Sequence, residues 1–253
     1  MPYLNRVESG KALAPLHASQ RPGPGDIRLG LGVPGYAHPL VAPMEWGELT
    51  RAGSAVHWAV LNVANGPGAR PDPHCLEAAG RLRAAGVKVL GQLDLRWARR
   101  PFGELITDAH RFLEWYKADG FYLDRCPTER SLLQEVRRTT TTLGALSDDA
   151  HIVLGHGTHP YPGYAEAADQ LVTFAGPWTE YRWSQVAEWT ADYPAEKFCH
   201  LVHGIPRMHL TEAMRIARWQ GAASVFFTDR RSWEALPGYW DEIVSRIGQG
   251  VSE

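Results

Sequence analysis

The sequence predicts an α/β protein built as a single (β/α)8 barrel. Eight short apolar runs recur along it, helical patterns fall between them, and the 253 residues match the roughly 250 typical of that barrel. A doubly wound open sheet also fits the alternation and stands second, because closure leaves no mark in a sequence. The clearest unit is Glu114-Trp115-Tyr116-Lys117-Ala118-Asp119-Gly120-Phe121-Tyr122-Leu123-Asp124. It reads as the end of an amphipathic helix, a one-glycine corner, and an uncharged strand that stops on an aspartate. Such a strand suits a parallel sheet covered on both faces, and its last residue lies where these sheets carry their chemistry.

Residues 1–26 end in Arg21-Pro22-Gly23-Pro24-Gly25 and read as an arm, with the barrel domain spanning 27–253. The first run is Arg28–Pro34, followed by the loop Gly35-Tyr36-Ala37-His38-Pro39. The second, Ser54–Val63, leads into Asn62-Val63-Ala64-Asn65-Gly66-Pro67-Gly68. Cys75–Ala85 is a helix stopped by Gly86, feeding strand Val87–Asp94. Phe102–Lys117 places Leu105, Ile106, Ala109, Phe112, Leu113 and Tyr116 at helical spacing and delivers the chain into Phe121–Asp124. A helix over Ser131–Leu146 follows, then strands His151–Gly155, Gln170–Phe174, Phe198–His203 and Ser224–Asp229. Leu210–Gln220 is the helix between the last two, and Gly238–Ile247 closes the chain.

Composition narrows the function classes. At 44% hydrophobic and 21% charged, the chain is ordinary for a globular domain. Lys and Arg (26) nearly balance Asp and Glu (28) without a basic block, so nothing supports capture of nucleic acid or an anionic membrane. Cys75, Cys126 and Cys199 are an odd, sparse set that does not read as a disulfide framework. Met1–Gln20 lacks an apolar signal core and no stretch reaches membrane-spanning length, so a cytoplasmic location is expected. Ten tryptophans suit a protein that lays aromatic faces under sugar rings.

Polar residues gather at the strand ends, as an active site on one barrel face requires. They are Asn62 and Asn65, Gln92 and Asp94, Asp124 and Arg125, His156, His203 and Asp229. Strand alternation puts Gln92 with Asp94, and Tyr122 with Asp124, on shared faces. Asp94 either pairs with Arg96, Arg99 or Arg125 or faces substrate, and Asp229 either joins the site or caps the next helix. Tyr36, Trp97, Trp178, Tyr181 and Trp183 are the aromatic platform candidates. No His-x-x-x-His, Cys-x-x-Cys, phosphate loop or Gly-x-Ser-x-Gly elbow is present, so neither a metal nor a cofactor is expected.

Several of these pieces together resemble spherulation-specific family 4, the spherulin-4-like proteins. They are Val33-Pro34-Gly35-Tyr36, Leu61-Asn62-Val63-Ala64-Asn65-Gly66-Pro67-Gly68, Gly86–Leu93 and Asp119-Gly120-Phe121-Tyr122-Leu123-Asp124. Val153–Thr158, Ala168–Phe174, His203-Gly204-Ile205-Pro206 and Thr228-Asp229 continue the same order. The resemblance implies a glycoside hydrolase-like barrel, with relatives that cut α-1,4-linked galactosamine or N-acetylgalactosamine polymers. It also implies acids at the ends of strands four and six, where the family carries Asp-Glu and Phe-Glu. Here Asp124 is kept, Arg125 stands at the glutamate position, Ala175 follows Phe174, and Gly155-His156-Gly157 replaces the usual Asn-Pro-Gly.

Glycoside cleavage ordinarily takes two carboxyl groups. Asp94 is the nearest substitute for the missing partner, with Asp229 or Glu180 farther round. Arg125 beside Asp124 is expected to favour the ionised carboxylate, leaving His156 or His203 as proton donors. Three functions follow: a divergent glycoside hydrolase acting on an amino-sugar glycan or glycoconjugate, an intracellular biosynthetic enzyme using Asp124, His156 and His203 on a small molecule, or a silent sugar-binding barrel. The expected ligand is a glycan or small molecule, and the oligomeric state is left open.

Overall fold

A computed structural model describes residues 27–35, 37–52, 55–147, 149–233 and 235–248. Its eight parallel strands pair in sequence order and close, the last on the first. The strands are β1 Gly30–Val33, β2 Val56–Leu61, β3 Lys88–Asp94, β4 Gly120–Asp124, β5 His151–Gly155, β6 Gln170–Pro177, β7 Phe198–His203 and β8 Ser224–Phe227. Around them run α1 Pro43–Ala52, α2 Pro73–Ala84, α3 Phe102–Tyr116, α4 Leu133–Leu146, α5 Trp178–Tyr181, α6 Leu210–Trp219 and α7 Trp240–Gly248. The open-sheet alternative is thereby excluded. The expected arm, residues 1–26, lies outside the described residues.

The helix-strand alternation lapses on one side. Only a 3-10 turn, Pro162–Glu166, joins β5 to β6, and one-turn α5 with two 3-10 turns joins β6 to β7. Pro160, Pro162, Pro177 and Pro194 punctuate these stretches and remove the amide donors a longer helix would need. β6 also runs past its expected end at Phe174 to Pro177, with a register shift between Val172 and Phe174. β8 stops at Phe227, so Asp229 belongs to the following loop.

Packing decides which strand residues face the barrel axis. A Cβ placed on Gly91 would come within 2.4 Å of the Phe112 ring of α3, so Gly91 faces outward and Leu90, Gln92 and Asp94 face inward. Inside, the Trp58 indole of β2 donates to Gln170 Oε1 of β6 at 2.8 Å. Gln170 Nε2 in turn donates to Ser224 Oγ of β8 at 2.9 Å and to the Glu196 carbonyl at 2.8 Å. This chain of bonds crosses the barrel and satisfies polar groups that burial alone would penalise. Above it the Tyr122 ring of β4 lies 5.9 Å from Trp58.

The entry to β4 is fixed from both sides. α3 ends at Lys117 in the left-handed region, and Asp119 then exchanges bonds with Val89: its amide donates to the Val89 carbonyl at 2.7 Å and its Oδ2 accepts the Val89 amide at 2.9 Å. Gly120 comes next, in register with His151. A Cβ there would sit 2.0 Å from the His151 carbonyl oxygen, a backbone atom that cannot swing away. Gly120→Ala should therefore cost at least about 3 kcal/mol in urea unfolding. Gly80→Ala, on the open face of α2 with nothing within 4 Å, should gain about 0.5–1 kcal/mol. Equal effects at the two sites would refute this account of the β4–β5 seam.

Candidate functional site

β3 and β4 pair Gln92 with Tyr122 and Asp94 with Asp124, so two aspartates stand side by side at the inner rim. Their surroundings differ sharply. Arg125 turns its guanidinium onto Asp94 through two bonds, Nε to Oδ1 at 2.8 Å and Nη2 to Oδ2. The Arg96 amide adds a bond to Oδ1 at 2.9 Å, with its guanidinium 3.7 Å from Oδ2. Asp124 receives only Gln92 Nε2, at 3.3 Å, from a side chain, and has no salt bridge among the described residues.

The two carboxyls are pushed in opposite directions. Burial raises the pKa of Asp124, and the Asp94 charge adds to that, against the Arg125 amide, the Arg125 charge and Gln92. Burial also pulls Asp94 upward, but Arg125 and Arg96 outweigh it and hold the carboxyl below the ordinary carboxylate range. The sequence had suggested the reverse for Asp124, because adjacency to Arg125 was taken as contact. Neighbours on a strand point to opposite faces, and Arg125 adopts a left-handed backbone (φ 50°) that carries its guanidinium to the adjacent strand. A carboxyl whose proton is favoured beside one whose charge is favoured is the division of labour that acid-base sites rest on.

The loop after β3 supports this pair. Arg96, Trp97 and Ala98 all have positive φ, 47°, 54° and 63°, a left-handed turn of three residues that have side chains. Amide bonds from Leu95 to the Asp124 carbonyl (2.9 Å) and from Trp97 to the Arg125 carbonyl (2.8 Å) hold it to β4. Trp97 is 53% exposed, and the Arg125 guanidinium lies 5.0 Å from its ring centroid. A half-exposed indole thus stands beside the arginine that clamps Asp94. Asn62 shapes the loop after the adjacent strand β2 by accepting the Gly66 amide at 3.0 Å, and Asn65 is exposed at the tip of that turn.

Other sequence candidates fall elsewhere. Tyr181 is fully buried, with its hydroxyl 2.9 Å from His200 Nδ1, and Trp178 is 4% exposed. The proline-ended extension of β6 folds α5 back over the outside of β7, so both rings are core and not platforms. Tyr122 is 6% exposed and packs inside the barrel beneath the aspartates. Asp229 is exposed and accepts the Gly238 amide at 2.9 Å, tying the loop before α7. Glu180 is exposed on α5, and Trp183 is 76% exposed just beyond it. Tyr36 lies outside the described residues.

The two histidine candidates differ in setting. His156 is half-buried against Tyr164, ring centroids 4.9 Å apart, with both ring nitrogens shielded from solvent. Burial lowers its pKa to about 4, against the Pro127 and Cys126 backbone, which favours the neutral ring at pH 7 over the proton donor the sequence suggested. His203 packs edge-on against Trp233 at 5.3 Å, next to the end of β6. The described side chains grouped closely enough for a metal ion, His38, Asp72 and Cys75, lie between the loops after β1 and β2. Sequence reading missed them because it searched only short spacings.

With this geometry in view, the chain matches the profile of spherulation-specific family 4 over residues 31–247. It belongs to that family. It is 24% identical over 144 residues to spherulin-4 of Physarum polycephalum, covering 56% of this chain and 43% of that protein, so the match spans less than half of the relative. Among solved structures, Aspergillus clavatus Sph3 in complex with GalNAc superposes with a TM-score of 0.78 at 21% identity, over 89% of this chain and 99% of that one. The Bacillus cereus spore cortex-lytic enzyme SleL follows the fold with a TM-score of 0.58 at 6% identity, over 85% and 73% of the two chains. These superpositions establish the shared barrel.

The clamp on Asp94 has a pH signature. Its folded pKa is depressed, so the stabilisation is present above the unfolded value of about 4 and is lost as pH falls through the folded value. Asp94→Asn should cost about 1 kcal/mol at pH 7, discounted for the exposed arginines, and the deficit should shrink at acid pH. Urea unfolding at several pH values reads this directly. A deficit that stays constant with pH would show that the charge pairs contribute nothing.

Proposed function

We propose that the chain is a glycoside-hydrolase-type barrel acting on an amino-sugar glycan or glycoconjugate, with Asp124 as the proton donor. The observation that carries this reading is the opposite tuning of two in-register neighbours, Asp124 raised by burial and Asp94 lowered by arginines. Asp124 at the inner rim, its proton favoured by burial, supplies the proton the leaving glycosidic oxygen requires. Asp94, ionised beside it, opposes the positive charge that develops on the sugar ring. Trp97 offers a face for a sugar beside Arg125. Family membership and the likeness to Sph3, whose solved complex holds GalNAc, support a galactosamine-type substrate.

One observation favours a second reading. Asp94 is fully engaged by Arg125 and Arg96 and is not a free nucleophile, which suits a barrel that binds the same sugars without turnover. Release of reducing ends from α-1,4-linked galactosamine and N-acetylgalactosamine polymers separates the two. The hydrolase reading expects release by the wild-type chain and a loss of at least about 100-fold in Asp124→Asn. It also expects kcat/KM to fall as pH rises through the Asp124 pKa.

Stability should move the other way. A raised carboxyl pKa favours folding below the unfolded value and loses that benefit as pH rises through the folded one. Asp124→Asn should therefore gain up to about 1 kcal/mol at pH 7. Binding to the polymers without any release, undisturbed by Asp124→Asn, would establish the second reading instead.

A further inference from the structure

We propose that His38, Asp72 and Cys75 form a binding site for a zinc-type divalent cation, joining the loop after β1 to the first turn of α2. This site is separate from the aspartate pair and does not depend on the proposed glycosidase reading. His38 Nε2 lies 3.4 Å from Cys75 Sγ and 3.5 Å from Asp72 Oδ2, and the three ligand atoms fall within 4.8 Å of one another. Metal–ligand bonds of about 2.0–2.3 Å in a tetrahedron give ligand–ligand edges of roughly 3.4–3.6 Å. Both distances from His38 match.

The arrangement differs from a hydrogen-bonded relay. A relay uses the two ring nitrogens on two partners, whereas here one nitrogen faces both the sulfur and the carboxylate. The other nitrogen, Nδ1, accepts the Leu40 amide at 3.2 Å, which places the imidazole proton on Nε2 in the metal-free protein. That single proton is shared between two acceptors, while a cation in its place would bond to both. One imidazole, one thiolate and one carboxylate form a borderline donor set suited to zinc and its neighbours, not to magnesium or calcium.

The ligands are also held in place. Asp72 Oδ1 caps α2, accepting the His74 and Cys75 amides at 2.9 and 3.0 Å, which leaves Oδ2 directed at His38. The Tyr116 hydroxyl accepts the Asp72 amide and donates to the Pro67 carbonyl, both at 3.0 Å, and so fixes the cap in turn. Such outer bonds are what orient ligands in metal sites. His38 and Asp72 are part-exposed, so an ion can enter. The exposed His74 ring, 6.4 Å from His38, or a water is available for the fourth position.

Proton bookkeeping is simple. The Cys75 thiol, pushed up to about 12 by burial and by Asp72, releases its proton to solvent as the metal–sulfur bond forms. The imidazole proton moves from Nε2 to Nδ1, and the Leu40 amide, in a residue 62% exposed, passes to water.

Cobalt(II) titration of the EDTA-treated full-length chain tests the site. One equivalent should produce a near-ultraviolet thiolate-to-cobalt band, abolished by zinc, and zinc should raise Tm. Cys126 and Cys199 are buried elsewhere, so the band reports Cys75. Cys75→Ala should lose both signals. His38→Gln and Asp72→Asn, the second retaining a capping oxygen, should weaken cobalt binding at least about tenfold, with circular dichroism confirming that each variant is folded. No stoichiometric band in the wild type, or a band or Tm rise that survives Cys75→Ala, would overturn the proposal.

Discussion

Two carboxylates on adjacent strands in register cannot both carry charge cheaply in a barrel mouth, and the rest of the site follows from how this chain resolves that conflict. Arg125 reaches across to Asp94 and makes it the charged member. Asp124 is left with Gln92 and a buried setting, which favour its proton. Arg125 is therefore more than a sequence neighbour of Asp124. It separates two otherwise equivalent groups.

That separation needs a rigid frame. The barrel supplies it through strand pairing and through the Trp58–Gln170–Ser224 bonds that cross its interior below the mouth. The Asp119–Val89 exchange sets where β4 begins, and so how far its final aspartate projects beside Asp94. A slip of one residue in that pairing would turn Asp124 to the helical layer. Fold and chemistry meet at this one register.

Much of this was legible in the sequence, for physical reasons that differ by element. The strands could be read because each is an apolar run bounded by turns, and β5 and β7 fall where their patterns put them. Alternation correctly placed Gln92 with Asp94 and Tyr122 with Asp124. The outcome for Arg125 could not be read, because a left-handed backbone at a non-glycine residue has no sequence signature. Trp178 and Tyr181 misled for a related reason: an aromatic residue near a strand end looks the same whether the following turn folds inward or outward. The His38, Asp72 and Cys75 group was hidden by distance along the chain, since a loop after β1 and a helix start after β2 meet only once the barrel exists.

The left-handed turn at Arg96, Trp97 and Ala98 carries one more implication. Three consecutive L-residues would not hold that shape in an isolated peptide; it persists because the loop's amides donate to carbonyls at the end of the neighbouring strand. The indole is thus aimed by tertiary structure and not by its own loop. Any sugar grip that uses it is an emergent property of the assembled barrel, and it should vanish with the first loosening of the β3–β4 rim, before the protein as a whole comes apart.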